Sequence, residues 1–148
     1  MLKQLKAGES GVTLIELLIV IVILGLLAGV IALNVMPQID NAKVATSRQD
    51  IERLKMALNL YSLQVGDYPT TEQGLEALWN PPNPVPANWN GPYVEKPKFE
   101  DSWGNEYIYQ YPGNHAGYNY DLYSLGKDGK QGGDGYNADI TNWIEETQ

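Results

Sequence analysis

An α+β protein is predicted: a long N-terminal α-helix packed on a small antiparallel β-sheet head. Three observations predict it. Residues 17–33 carry no polar side chain. After them Ile51, Leu54, Leu58, Tyr61 and Val65 step by three and four, which places them on one helix face. From residue 67 onward the chain is rich in Gly, Pro, Asn and Tyr, with two short stretches whose alternation reads as strands.

The elements follow in chain order. Residues 1–11 are short and polar and include Lys3 and Lys6. Residues 12–36 are apolar, and no charge appears between Glu16 and Asp40. A helix needs about 20 apolar residues to cross a bilayer, and basic residues ahead of it favour a cytoplasmic N-terminus and an exported remainder. Residues 37–66 continue as an amphipathic helix, with Asp50, Glu52, Arg53, Lys55 and Asn59 off the apolar face. Gly66 supplies a left-handed stop.

Residues 67–148 form the head. Thr70 and Gln73 have capping-box spacing, so a short second helix starts near Thr70, with Leu75, Leu78 and Trp79 on its buried side. Pro81, Pro82, Pro84, Pro86 and Pro92 forbid regular structure across the next loop. Strands are expected over residues 106–111 and 118–124, joined by a turn at 113–117. Tyr107, Tyr109 and Tyr111 alternate with Ile108 and Gln110; Tyr118, Tyr120 and Leu122 alternate with Asn119, Asp121 and Tyr123. Ten tyrosines against one phenylalanine suit a thin sheet with one wet face.

Composition narrows the function. The 148 residues include 10 basic and 18 acidic ones, a net charge of -8. Phosphate neutralisation needs a basic surface, so nucleic acid is not the partner. There is no cysteine, which excludes disulfides and thiolate chemistry. The mean hydropathy of -0.32 averages two unlike parts.

The junction Gly11-Val12-Thr13-Leu14-Ile15-Glu16 carries the most information. A carboxylate inside an apolar segment is expensive and usually functional. Glycine before the apolar run suits cleavage on the cytoplasmic side, which leaves the helix on the mature chain. An ordinary signal peptide cut after Ala28 or Ala32 fits poorly with so long a run and with Glu16. An uncleaved signal anchor is the other simple reading.

Gly11, Thr13, Leu14 and Glu16, with the apolar run behind them, resemble the type IV pilin and pseudopilin family. Its usual first mature residue is phenylalanine, where this chain has Val12. The resemblance implies cleavage of the 1–11 leader after Gly11 by a prepilin peptidase and methylation of the new amino group of Val12. Glu16 is the expected assembly residue, pairing with the Val12 amino group of a neighbouring subunit. Within the family, residues 68–78 (Tyr68-Pro69-Thr70-Thr71-Glu72-Gln73-Gly74 and onward), Trp103-Gly104-Asn105 and Asp139-Ile140-Thr141-Asn142-Trp143 look like the type II secretion major pseudopilins. Ser102 stands where they usually have proline, and Leu33 where they often do. The implied function is structural. Copies of the chain form a helical homo-oligomeric filament in the periplasm that drives export of folded proteins across the outer membrane. Minor pseudopilins and an inner-membrane assembly platform are the implied partners, and the localisation is single-pass in the inner membrane with a periplasmic head. A type IV pilus subunit for adhesion or motility, and a membrane-tethered periplasmic enzyme, are the alternatives.

Residues 125–139 hold five glycines and three aspartates. Glycines let backbone carbonyls turn inward, and carboxylates supply hard oxygen ligands of the kind Ca²⁺ takes. The spacing is not that of an EF-hand, and a glycine-rich turn cluster without metal fits the residues equally well. The resemblance implies Ca²⁺. By position Asp128 looks like the early ligand and Asp139 the late one, with the carbonyls of Leu125 and Lys130 as candidates. Ala138-Asp139 stands where some relatives have two aspartates, leaving that place to Asn137 or Asp134. His115, the single histidine, reads as a turn residue between glycines. Trp79, Trp89, Trp103 and Trp143 read as core and loop anchors. Glu100-Asp101 reads as a solvated loop pair. No Gly-x-Ser-x-Gly and no zinc-ligand cluster is present, and the chain is not expected to be an enzyme.

Overall fold

The computed structural model describes residues 11–144, with the side chains of residues 30–35 outside the description. Of the expected leader only Gly11 is described. The chain divides into two compact units, Met1–Ile39 and Asp40–Gln148. One helix, α1 (Leu14–Val65), supplies residues to both.

In the first unit α1 begins directly after Thr13. Every described side chain from Val12 to Ala28 is exposed, including Val12 at 76% and Leu26 at 68%. The expected span over residues 12–36 runs through the positions whose side chains lie outside the description. Among the described residues no helix is long and apolar enough to cross a membrane.

In the second unit the predicted apolar face of α1 is the core face. Ile51, Leu54, Leu58 and Tyr61 are at most 2% exposed, and Val65 packs at the margin. Asp50, expected on the wet face, is instead buried beside Ile51 and paired to Arg53 at 3.0 Å. Gly66 ends the helix as expected, at φ 101°, and its N–H donates to the Ser62 carbonyl at 2.8 Å.

The capping box of the second helix forms: the Thr70 N–H donates to Gln73 Oε1 at 2.9 Å, and the Gln73 N–H donates to Thr70 Oγ1 at 3.2 Å. The helix does not propagate from it. Gly74 takes φ 59°, ψ -167°, which breaks the turn, and only a 3-10 helix, Leu75–Leu78, follows. Leu75 and Leu78 are buried in it, as their spacing requires.

Among the described residues the sheet has three strands in the order β1-β2-β3, where β1 is Ile108–Gln110, β2 Asp121–Ser124 and β3 Ile140–Thr141. Both pairings are antiparallel, with Tyr109 opposite Leu122 and Ser124 opposite Ile140. The strands are shorter than their alternation suggested. At one end of β1 the chain makes only a bridge, Glu106 to Glu100; at the other a side chain replaces the ladder. Residues 118–120 belong to the turn, where the Gly113 N–H donates to the Asn119 carbonyl at 2.9 Å. Asp121, placed by alternation on the wet face, is buried. Its carboxylate accepts from the Asn114 N–H at 2.9 Å and so holds that turn shut. Burial pushes the phenols of Tyr107, Tyr109 and Tyr120 well above their ordinary range. Tyr109 compensates by donating to the Pro69 carbonyl at 2.8 Å.

Candidate functional site

The two candidate regions lie in different units. At the start of α1, Thr13 and Glu16 form a loose reciprocal capping box. The Glu16 N–H donates to Thr13 Oγ1 at 3.3 Å, and the Thr13 N–H and hydroxyl both donate to Glu16 Oε2 at 3.4 Å. This satisfies N-terminal helix donors that have no intrahelical partner. Gly11, Val12 and Glu16 are all exposed, open to a second molecule.

The second region is the loop over residues 125–139, rooted at the end of β2 and returning into β3. Its neck is closed by the Lys127 N–H donating to the Tyr136 carbonyl at 2.9 Å. Gly126 and Gly133 are required by close approach. A Cβ on either would sit 2.7 Å from a backbone oxygen, that of Ala138 or of Asn137, and both have positive φ. Segment 137–139 is thereby pressed against the loop's entry strand.

Asp139 is half-buried. Its Oδ2 accepts from the Gly132 N–H at 3.0 Å, while Oδ1 is shielded from solvent and has no hydrogen-bond donor among the described residues. Asp128 is exposed, and its Oδ1 accepts from the Lys130 N–H at 3.1 Å. Asp134 is exposed and starts the 3-10 turn Gly135–Asn137; its carbonyl accepts from Asn137, but its side chain caps nothing. Leu125 is half-buried at the root, and Lys130 and Asn137 are exposed. Among the described residues no three acidic or histidine side chains converge. Asp139 is thus brought beside the Gly132 backbone and near the loop's root, whereas Asp128 and Asp134 stay on its outer turns.

A hard cation fits this donor set in chemistry: every available group is an oxygen, and one carboxylate oxygen is shielded with nothing donating to it. Carbonyls and water commonly complete a Ca²⁺ shell, so three converging carboxylates are not needed. An open groove of about 990 Å³, lined in part by Gln131, Gly132, Asp139 and Trp143, reaches the loop from solvent.

Sequence reasoning missed the groups under this loop. Asp101, read as solvated, is 3% exposed. Its Oδ1 accepts from the N–H groups of Trp103 and Asn105, each at 2.9 Å, and its Oδ2 accepts from the Ser124 hydroxyl at 2.5 Å. The signal was present in Asp101-Ser102-Trp103-Gly104, aspartate and glycine three apart as in a type I turn. The Gly104 N–H closes it on the Asp101 carbonyl at 3.2 Å. Also missed was Lys127, whose Nζ lies 2.7 Å from Asp40 Oδ2 on α1. No local pattern predicts a pair separated by so much chain. His115 is a turn residue as expected: its ring stacks on Trp143 at 3.7 Å and its Nδ1 lies 3.0 Å from Asp121 Oδ1.

Comparison with known proteins gives matches over nearly the whole chain. The family described as type II secretion system protein G matches residues 34–143, and the prokaryotic N-terminal methylation motif matches residues 6–32. The type II secretion system core protein G of Pseudomonas aeruginosa is 48% identical over 140 residues, covering 93% of this chain and 97% of that one. That of Vibrio cholerae is 44% identical over 138 residues, covering 91% and 92%. The crystal structure of the major pseudopilin from the type 2 secretion system of enterohaemorrhagic Escherichia coli superposes with a TM-score of 0.61 at 34% identity, covering 74% of this chain and 94% of that one.

Proposed function

The chain belongs to the type II secretion system protein G family, and from that premise we propose how its two ends serve a filament. It is a major pseudopilin, a structural subunit of the type II secretion pseudopilus. In the proposed cycle the subunit waits in the inner membrane with residues 12–36 as its single span and its head in the periplasm. A prepilin peptidase removes residues 1–11 and methylates Val12. An inner-membrane platform then adds the subunit to a helical filament of identical copies, begun by minor pseudopilins, that pushes folded proteins through the outer membrane. The role is structural rather than catalytic; the one histidine is engaged in a turn.

One observation carries this reading. The methylation motif at 6–32 and the protein G match at 34–143 follow one another on one chain, which supports a processed anchor joined to a filament head. Intact mass and N-terminal sequencing of membrane-extracted protein test it. The expected mature chain starts at Val12 and carries one methyl group. A chain starting beyond Ala28 overturns the processing.

We further propose that the 125–139 loop binds Ca²⁺. Asp139 and Asp128 would hold it with the carbonyls of Leu125 and Lys130, and Asn137 or Asp134 would complete the shell. The shielded, donor-free Oδ1 of Asp139 supports this. When bound, the ion supplies a hard positive charge that accepts about six to eight oxygens. The chain's own contribution is to order the glycine-rich backbone and turn its oxygens inward.

A further inference from the structure

The loop's first glycine is gripped by both of its backbone groups. The Gly126 N–H donates to Ser124 Oγ at 3.1 Å, and the Gly126 carbonyl accepts from Asn105 Nδ2 at 2.8 Å. Both grips trace back to Asp101. The Ser124 hydroxyl has one proton and donates it to Asp101 Oδ2, so its lone pairs are left for Gly126. Asn105 is pinned through its backbone in both directions, its N–H on Asp101 Oδ1 at 2.9 Å and its carbonyl under the Asp101 N–H at 2.8 Å. The Asn105 amide also fills the corner below Gly129, where a Cβ would meet its Oδ1 at 2.9 Å.

We propose that Ser124 and Asn105, both anchored on Asp101, are positioning residues for cation binding because they fix the peptide planes on either side of Gly126. The inference rests on the calcium reading above. A trans peptide is planar, with its C=O and N–H pointing to opposite sides. Holding the Gly126 N–H against Ser124 therefore aims the Leu125 carbonyl the other way, and this carbonyl is a candidate ligand. Holding the Gly126 carbonyl with Asn105 likewise aims the Lys127 N–H, which closes the loop's neck on the Tyr136 carbonyl. Positive φ at Gly126 and the close approach of the Ala138 carbonyl leave no room there for a side chain. The network touches no ion. It sets the direction of a carbonyl that does, as groups outside a metal's ligand shell do elsewhere.

The test uses the full chain in detergent micelles, stripped with chelator and titrated with Ca²⁺ by calorimetry. Ser124→Ala and Asn105→Ala should each weaken Ca²⁺ binding by roughly 10–100-fold. Leu78→Ala, in the core on the 3-10 helix, serves as the control. It should lower the melting temperature in chelator and leave the affinity alone. Hydrogen exchange of the Gly126 and Lys127 amides in metal-free protein is the second readout, and it should speed up in both loop variants and not in the control. Asn105 is half-buried, so its variant keeps the test alive if Ser124→Ala fails to fold. Affinities within about twofold of wild type in Asn105→Ala, when losses at groups that orient a metal's ligands run tenfold or more, overturn the inference. So does an affinity loss in Leu78→Ala as large as theirs. If wild type itself shows no Ca²⁺ binding, it is the calcium reading that has failed, and the positioning role falls with it.

Discussion

Asp40 and Lys127 meet at 2.7 Å, joining α1 to the neck of the 125–139 loop. The hydrogen bond from Lys127 is the largest cause holding the Asp40 carboxyl below its usual value of 3.8. A carboxyl with a lowered folded pKa stabilises the fold while it is ionised. That contribution is present above pH 3.8 and is lost as the pH falls through the lower folded value. Asp40→Asn should therefore melt below wild type near neutral pH, and the gap should close as the pH falls below 3.8 and the carboxyl takes up its proton. Thermal melts across that range check this, and a gap independent of pH would deny the pair its role. Asp139 behaves differently. Its Oδ1 is shielded and has no donor among the described residues, and a buried acceptor left unsatisfied costs about 1–3 kcal/mol. Asp139→Asn keeps an oxygen for the Gly132 N–H and removes the charge. It should melt at or above wild type in chelator yet lose the Ca²⁺ shift. At a free concentration of 100 times Kd that shift corresponds to about 2.7 kcal/mol in wild type, several degrees for a domain of this size. A variant that keeps the full shift removes Asp139 from the ligand set.

At the scale of elements, β1 is an edge strand, and its outer side is blunted at both ends. The Tyr107 N–H donates to the Phe99 carbonyl at 2.8 Å. At the other end Thr71 Oγ1 both donates to the Tyr111 carbonyl and accepts from the Tyr111 N–H, each at 2.9 Å. One hydroxyl thus stands in for a neighbouring strand, as sheet edges require if they are not to recruit another chain. Thr71→Val keeps the shape and removes both bonds. It should cost about 0.5–1.5 kcal/mol and raise aggregation on storage, read by melting and light scattering. Unchanged melting would mean that water replaces the hydroxyl. The same element shows what the sequence could convey. The α1 core face was legible because 3.6-residue periodicity persists from Ile51 to Val65. Tyr107 and Tyr109 were legible as inward residues because alternation reports burial. The strand ends were not, because a turn carboxylate at Asp121 and a side-chain hydroxyl at Thr71 decide them. β3, two residues long, has no period to read. The loop was visible as glycines and aspartates, but its foundation was not, because Asp101, Ser124 and Asn105 meet only in three dimensions.

For the whole molecule, the described part of the first unit is an apolar helix with exposed side chains and with Glu16 near its start. An acidic side chain placed at the bilayer centre costs about 2.5–3.5 kcal/mol, falling toward the interface. The Thr13–Glu16 capping box offers partial relief within one subunit, since it gives the carboxylate two donors, the Thr13 N–H and hydroxyl, each at 3.4 Å. In a filament the expected pairing with the amino group of a neighbour's Val12 would offer more, a full opposite charge in a medium that screens little. These two roles separate by substitution. Glu16→Gln keeps a side chain that can close a capping box, which accepts Glu or Gln alike, and removes the charge. Glu16→Ala removes both. If charge pairing drives assembly, both variants should insert and be cut after Gly11, and both should fail to form filaments or secrete cargo. If helix capping is the need, Glu16→Gln should assemble and only Glu16→Ala should fail. Crosslinking of subunits in membranes, electron microscopy of sheared filaments and assay of secreted cargo read the difference. Charge pairing predicts failure of the glutamine variant, because a neutral amide cannot offset a buried ammonium. Normal secretion by Glu16→Gln would therefore assign Glu16 to the helix rather than to the filament.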